Sequence, residues 1–183
     1  MKEEAPAADA PVDEAFWRAR LKAAIEFRAS LGLDATAYRL IHGEADRLPS
    51  LIVDKYADLL VLQALSQGMD HLVPMLVPML VELTGATGVL ARNDPKVRLL
   101  EGLEQKVEPL YGEVPETVAV REGPVEYDVD PWHGQKTGLF LDQRENREAA
   151  AARGAERGET PPARRPARRR ARRLENLFQG TAR

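Results

Sequence analysis

Residues 133–147 read His-Gly-Gln-Lys-Thr-Gly-Leu-Phe-Leu-Asp-Gln-Arg-Glu-Asn-Arg. Gly134 and Gly138 bracket a short polar loop and permit a tight backbone path that can approach a ligand closely. Leu139, Phe140 and Leu141 form an apolar step that anchors this path to a core. Asp142 reads as the N-cap of a following helix, with Glu145 three residues on closing a capping box. A lysine and a threonine beside glycine suggest a nucleotide-phosphate loop. The spacing excludes it, because Gln135 stands where a glycine must precede the lysine.

Working outward, a second polar run lies upstream, Tyr38-Arg-Leu-Ile-His-Gly-Glu-Ala-Asp-Arg-Leu-Pro-Ser-Leu-Ile-Val-Asp54. Within it His42-Gly-Glu-Ala-Asp46 reads as a turn between two strands, and its acids would repel a phosphate backbone. The two runs, in this order, resemble the class I S-adenosylmethionine-dependent methyltransferases that modify cytosine C5 in large-subunit ribosomal RNA. The resemblance covers about Phe16 to Asn146, which in that family is the central domain and the junction to the methyltransferase domain.

The resemblance implies that the 133–147 loop and helix start lie beside the cofactor. Gln135, Lys136, Thr137, Asp142 and Gln143 are then the expected contacts to S-adenosyl-L-methionine, and Lys136, Arg144 and Arg147 those to ribosomal RNA. Amide and carboxylate groups suit the amino-acid and ribose ends of the cofactor, and the cations suit phosphates. From residue chemistry alone, the alternative for Arg144 and Arg147 is a solvated helix face with intrahelical pairs. The resemblance also implies a Rossmann-type catalytic domain that is missing here, so the chain is expected to be a truncated, inactive form. Asn176-Leu177-Phe178 and Thr181 echo the first strand of such a domain, although the same run resembles a viral protease recognition site lacking its tyrosine.

Cysteine content bears on the chemistry. Adding a methyl group at C5 of cytosine needs a nucleophile at C6, for which a thiolate is suited, and the 183 residues contain no cysteine. No catalytic residue and no metal ligand is assigned. The absence of cysteine also excludes disulfides. No apolar run approaches a membrane span and the N-terminus lacks a signal-peptide pattern, so no membrane partner is expected and the compartment is read as cytoplasmic.

Charge divides the chain. Before Pro161 there are 18 Lys plus Arg against 28 Asp plus Glu, and from Pro161 onward 8 against 1. Residues 161–183 begin with an Arg/Pro-rich run lacking acids and large apolar residues, which cannot offset chain entropy by burial and is expected to be disordered. This run supports an alternative of another class, a non-enzymatic RNA-binding module using its arginine tail. A third possibility is self-association through apolar surface left uncovered.

The remaining pattern predicts an α+β fold of strand pairs and helices. Residues 1–12 read as a disordered tail, 13–142 as the central domain, and 143–160 as a helix leading away from it. Asp13 starts a helix carrying Trp17, Leu21, Ala24, Ile25 and Leu31 on one face, stopped by Gly32. Leu51 to Tyr56 and Leu59 to Leu65 read as a hairpin around Ala57-Asp58. Met69 to Leu83 reads as a helix containing a duplicated Leu-Val-Pro-Met, with Pro74 in its first turn and a kink at Pro78. Gly88 to Arg92 reads as a strand, Pro95 to Leu103 as a short helix, and Thr117 to Arg121 with Glu126 to Val129 as a second hairpin.

Overall fold

The computed structural model describes residues 11–156. The expectations for residues 157–183, and for most of the N-terminal tail, lie outside the described residues. The architecture is α+β, and its spine is the hairpin of β2 (Leu51–Tyr56) and β3 (Leu59–Ala64), paired from Tyr56 opposite Leu59 to Leu51 opposite Ala64. Ala57 turns this hairpin with φ 51°. On one side β1 (Ala37–His42) pairs antiparallel with β2. On the other, β4 (Gly88–Asn93) pairs in parallel with β3, and β5 (Lys106–Gly112) runs antiparallel along β4. The order is β1-β2-β3-β4-β5. Every residue of β3 and β4 is buried, as expected for a parallel pair covered on both faces, whose strands read as continuous apolar runs.

The parallel pairing requires a crossover, supplied by α2 (Gln67–Thr84). Ser66 caps its start, its hydroxyl accepting from the Met69 amide, and Gly85 ends it in the left-handed region. α1 (Glu14–Ser30) is capped by Asp13, which accepts from the Phe16 amide at 3.0 Å. Both helices cover one face of the sheet. Leu21 and Ala24 of α1 and Met69, Val73, Leu76, Val77 and Leu80 of α2 join Leu40, Ile41, Leu51, Val53, Leu60 and Leu62 in one apolar cluster.

Four expectations need correction here. α2 begins at Gln67, so Pro74 is interior rather than in the first turn, and the helix continues through both prolines. Pro74 and Pro78 are both exposed, four residues apart on the solvent side, where water can reach a carbonyl that has lost its amide donor. Leu31 is the C-cap of α1 and 49% exposed, not part of its buried face. β5 was not anticipated: its charged, largely exposed residues and Pro109 give no apolar run, because it is an edge strand. Asp142 does not cap a helix. It lies inside a 3-10 turn, Leu141–Gln143, that leads into α4 (Arg144–Glu156), and its carboxylate faces Lys136 instead.

The opposite face of the sheet carries the hairpin of β6 (Val118–Glu122) and β7 (Val125–Val129). Val118, Val120 and Val129 pack with Ala37, Tyr56, Leu59, Val61 and Leu90 in a second, smaller cluster. β1 carries a bulge that bears on the site. Its register steps from Arg39 opposite Asp54 to Ile41 opposite Val53, leaving Leu40 as the extra residue. Leu40 and Ile41 both enter the helix-side cluster. His42, opposite Ile52, therefore falls on the same face as Arg39, opposite Asp54. The short α3 (Val97–Leu100) follows β4. Among the described residues no helix is long and apolar enough to cross a membrane, and no group of three or more metal-ligating side chains occurs.

Candidate functional site

The loop between β7 and α4 is folded back on the sheet by side chains that strand patterning does not predict. Asp130 accepts from the backbone amides of Trp132 and His133, both at 2.9 Å. Arg92, buried at the end of β4, donates to the carbonyls of Pro131 at 2.8 Å and Gly134 at 3.1 Å, while Asp94 holds its other edge. Gly134 lies against Gly138 so closely that a Cβ there would sit 2.4 Å from the carbonyl oxygens of both Asp130 and Gly138. The two glycines are thus required by contact.

Between them Gln135 to Gly138 form a tight turn closed by the Gly138 amide on the Gln135 carbonyl at 2.9 Å. Lys136 occupies the left-handed region at φ 57°, where a side chain costs about 1–2 kcal/mol. Thr137 points inward and is fully buried. Its hydroxyl lies 2.5 Å from Asp54 Oδ2 and 3.1 Å from the Tyr56 hydroxyl. The single threonine proton goes to the carboxylate, so the tyrosine is the donor to Thr137. Burial pushes the Tyr56 phenol up to about 12.

Asp54 is the base of this knot. It is inaccessible to solvent and receives Nε and Nη2 of Arg39 at 2.8 and 3.1 Å. The remaining Nη1 of Arg39 lies 3.2 Å from His42 Nδ1, a contact created by the bulge at Leu40. A buried carboxylate is tolerated only when paired and hydrogen-bonded, and Arg39 and Thr137 together do this. An acid in the otherwise apolar Leu-Ile-Val-Asp run was the available sequence signal for Asp54; a buried arginine in Leu-Ala-Arg-Asn was the signal for Arg92.

Over this base lie two open clefts, each of about 460 Å³, that share Arg39 and Lys136. The first is also lined by Arg28, Tyr38, His42, Leu141, Asp142 and Arg144, and the second by Ile52, Gln63, Asp94 and Pro95. The shared residues make them one groove across the β1 side of the sheet. Its cations differ in availability. Asp46 takes Arg28 at 2.7 and 3.0 Å, and Asp54 takes Arg39. Lys136 lies 3.6 Å from Asp142 with its ammonium 4.4 Å from the Phe140 ring centroid. Arg144 makes no side-chain hydrogen bond or ion pair among the described residues.

The structure therefore brings Lys136, Asp142 and Arg144 together on one groove and leaves Gln135 and Gln143 exposed near them in sequence. Thr137 is taken inward. Arg147 faces away from the groove: it grips Glu122 through Nε at 2.7 Å and Nη2 at 2.8 Å and donates to the Phe140 carbonyl at 2.7 Å. Its guanidinium also lies 5.6 Å from the Tyr127 ring centroid. This is a bidentate strut to a fully buried carboxylate that docks α4 on the β6–β7 hairpin. The solvated helix face with intrahelical pairs is accordingly corrected for Arg147.

Comparison with known proteins places this geometry among relatives. No family model matches the chain. It is 44% identical over 146 residues to Ribosomal RNA large subunit methyltransferase I of Aeromonas hydrophila, covering 76% of this chain and 36% of that protein. It is 39% identical over 142 residues to the protein of the same name from Vibrio cholerae, covering 75% and 35%. The chain spans about a third of the length of these curated relatives. Among solved structures, a proposed SAM-dependent methyltransferase from Streptococcus mutans superposes with TM-score 0.64 at 21% identity, over 77% of this chain and 36% of that one. A proposed methyltransferase in complex with SAH gives TM-score 0.63 at 22% identity, over 76% and 35%. The fold of the described residues is thus shared with part of both structures, and in sequence the chain is similar to about a third of Ribosomal RNA large subunit methyltransferase I.

Proposed function

We propose that residues 13–142 are a central domain of an S-adenosyl-L-methionine-dependent methyltransferase acting on large-subunit ribosomal RNA, and that residues 143–160 lead from it toward the catalytic part. The observation that carries this is the 44% identity, over 76% of this chain, to a relative named as a methyltransferase of the large ribosomal RNA subunit. Position C5 of cytosine is the proposed target atom. The five-stranded sheet of the described residues has a single parallel pair, not the doubly wound order of a Rossmann-type domain. With no cysteine to attack C6, this chain supplies neither that sheet within the described residues nor the thiolate. We assign it the substrate side of the reaction, with no methyl transfer by the chain alone.

Each residue then has a role that follows from where it lies. Lys136 and Arg144 present cations at the groove and hold RNA phosphates. Arg147 acts through α4, fixing the helix on Glu122 so that Arg144 keeps its place one turn earlier. The amides of Gln135 and Gln143 and the carboxylate of Asp142 suit the amino-acid and ribose ends of the cofactor, which supplies the methyl group when bound. Thr137 holds the loop from inside by its bonds to Asp54 and Tyr56.

Calorimetric titration of S-adenosyl-L-methionine into the purified chain, beside Gln143→Ala, tests the cofactor assignment. Saturable heat that is lost in the variant supports it, and no heat with either protein removes Gln135, Asp142 and Gln143 from the site. Incorporation of labelled methyl into ribosomal RNA by the chain alone, above a no-protein control, would overturn the assignment to the substrate side.

A further inference from the structure

The groove has a feature that phosphate contacts alone do not use. Tyr38 of β1 is among the residues lining it and packs against the helix-side core, which braces its ring at the edge of the cleft. The same groove is lined by Arg39, whose guanidinium is fixed by Asp54 and His42, by the left-handed Lys136, and by Arg144, which has no side-chain partner among the described residues. A braced aromatic among cations in a concave site fits an unstacked base with its flanking phosphates. An A-form duplex presents its phosphates on a convex surface with bases stacked inside, so it cannot reach the ring. Each cleft, at about 460 Å³, falls within the range of roughly 300–1,000 Å³ usual for small-molecule sites.

We infer that the groove walled by Tyr38, Arg39, Lys136 and Arg144 is a binding site for an unpaired RNA strand, in which a base stacks on Tyr38 and adjoining phosphates are held by Arg144 and Lys136. The inference rests on the ribosomal RNA substrate proposed above and adds its form: the strand enters single, opened before it reaches this domain. Lys136 supports the assignment independently. Its backbone lies where glycine would be unstrained, so the position carries a side chain at a conformational cost, and that side chain is a cation facing the groove.

The test is fluorescence anisotropy of the full chain with a short labelled oligoribonucleotide of adenosines and cytidines, which does not pair with itself, and with the same strand annealed to its complement. The arginine-rich terminal run would attract either polyanion by charge alone, so the ratio of the two affinities is the readout. The single strand is expected to bind about tenfold more tightly than the duplex. Tyr38→Ala should remove that preference, Tyr38→Phe should keep it, and Lys22→Ala on α1 should leave it unchanged. Arg144→Ala, at a side chain without a partner among the described residues, should weaken single-strand binding and lower the slope of log affinity against log salt by about one. Circular dichroism of each variant separates these effects from loss of fold. Equal affinity for strand and duplex, with Arg144→Ala weakening both, would overturn the single-strand site and leave the RNA substrate standing. No binding of either RNA by a folded chain would overturn both.

Discussion

The two faces of the five-stranded sheet are held by different physics. On the helix side, leucines, valines and methionines of α1 and α2 meet the apolar residues of β1 to β3. On the other side the apolar cluster is smaller, and two buried carboxylates, Asp54 and Glu122, are each gripped by an arginine. Apolar burial is non-directional and tolerates repacking, whereas a buried ion pair fixes its partners to a few tenths of an ångström. The first face supplies stability. The second supplies position, and it carries the loop and the groove.

The largest expected effect comes from breaking that second face at its asymmetric pair. Arg39→Met leaves Asp54, which has no solvent access, with an uncompensated charge, and should cost about 3–5 kcal/mol in chemical denaturation. Asp54→Asn should cost less, because the side chain of Arg39 is 32% exposed and its charge can be rehydrated. Equal costs for the two would mean that the pair is not the anchor of this face. On the helix face, Leu76→Ala in α2 should cost about 2–5 kcal/mol through the cavity it leaves, without changing the RNA affinity of the folded chain.

A smaller effect is alkaline. Burial holds the Tyr56 phenol at about 12, above its unfolded value near 10. Below pH 10 both states are protonated and nothing changes. Between pH 10 and 12 only the unfolded chain ionises, so stability should fall by about 2–3 kcal/mol. Tyr127, also pushed up by burial and then by Glu122, contributes to the same window. Tyr56→Phe should therefore flatten the loss in thermal melts across that range without abolishing it, and an unchanged slope would show that Tyr56 is not the group concerned.

The smallest stability effect sharpens the division between position and function. Lys136→Gly relieves the left-handed backbone and should change stability by no more than about 1 kcal/mol, in the stabilising direction. It should nevertheless weaken binding of RNA. Loss of stability in this variant would mean that the Lys136 contacts to Asp142 and Phe140 hold the loop.

The helix face was legible in the sequence because apolar periodicity and caps act locally: Asp13, Gly32 and the Ala57-Asp58 turn all mark element ends. β5 was not, since an exposed edge strand with Pro109 has no face to bury. The joining of β4 to β3 was also hidden, because strand order depends on contacts far apart in sequence. At the site, the 133–147 run marked a loop that the structure folds back on the sheet, with Lys136 and Arg144 lining the groove. Its outward or inward sense was not readable: Thr137 turns in because Asp54 and Tyr56 lie 83 and 81 residues away in the chain. Arg147 turns to Glu122 for the same kind of reason.

The extra residue at Leu40 has a consequence for how this strand can vary. A strand ordinarily counts in twos, so its second, fourth and sixth side chains share a side; β1 counts to three once, and only there can Arg39 and His42 be neighbours. Deleting one residue at that point would restore the even count, leaving composition and hydropathy almost untouched while sending one of the two to the opposite side of the sheet. In aligning related chains, a single gap in this strand therefore weighs more than several substitutions, because it separates proteins that have this groove floor from proteins that do not.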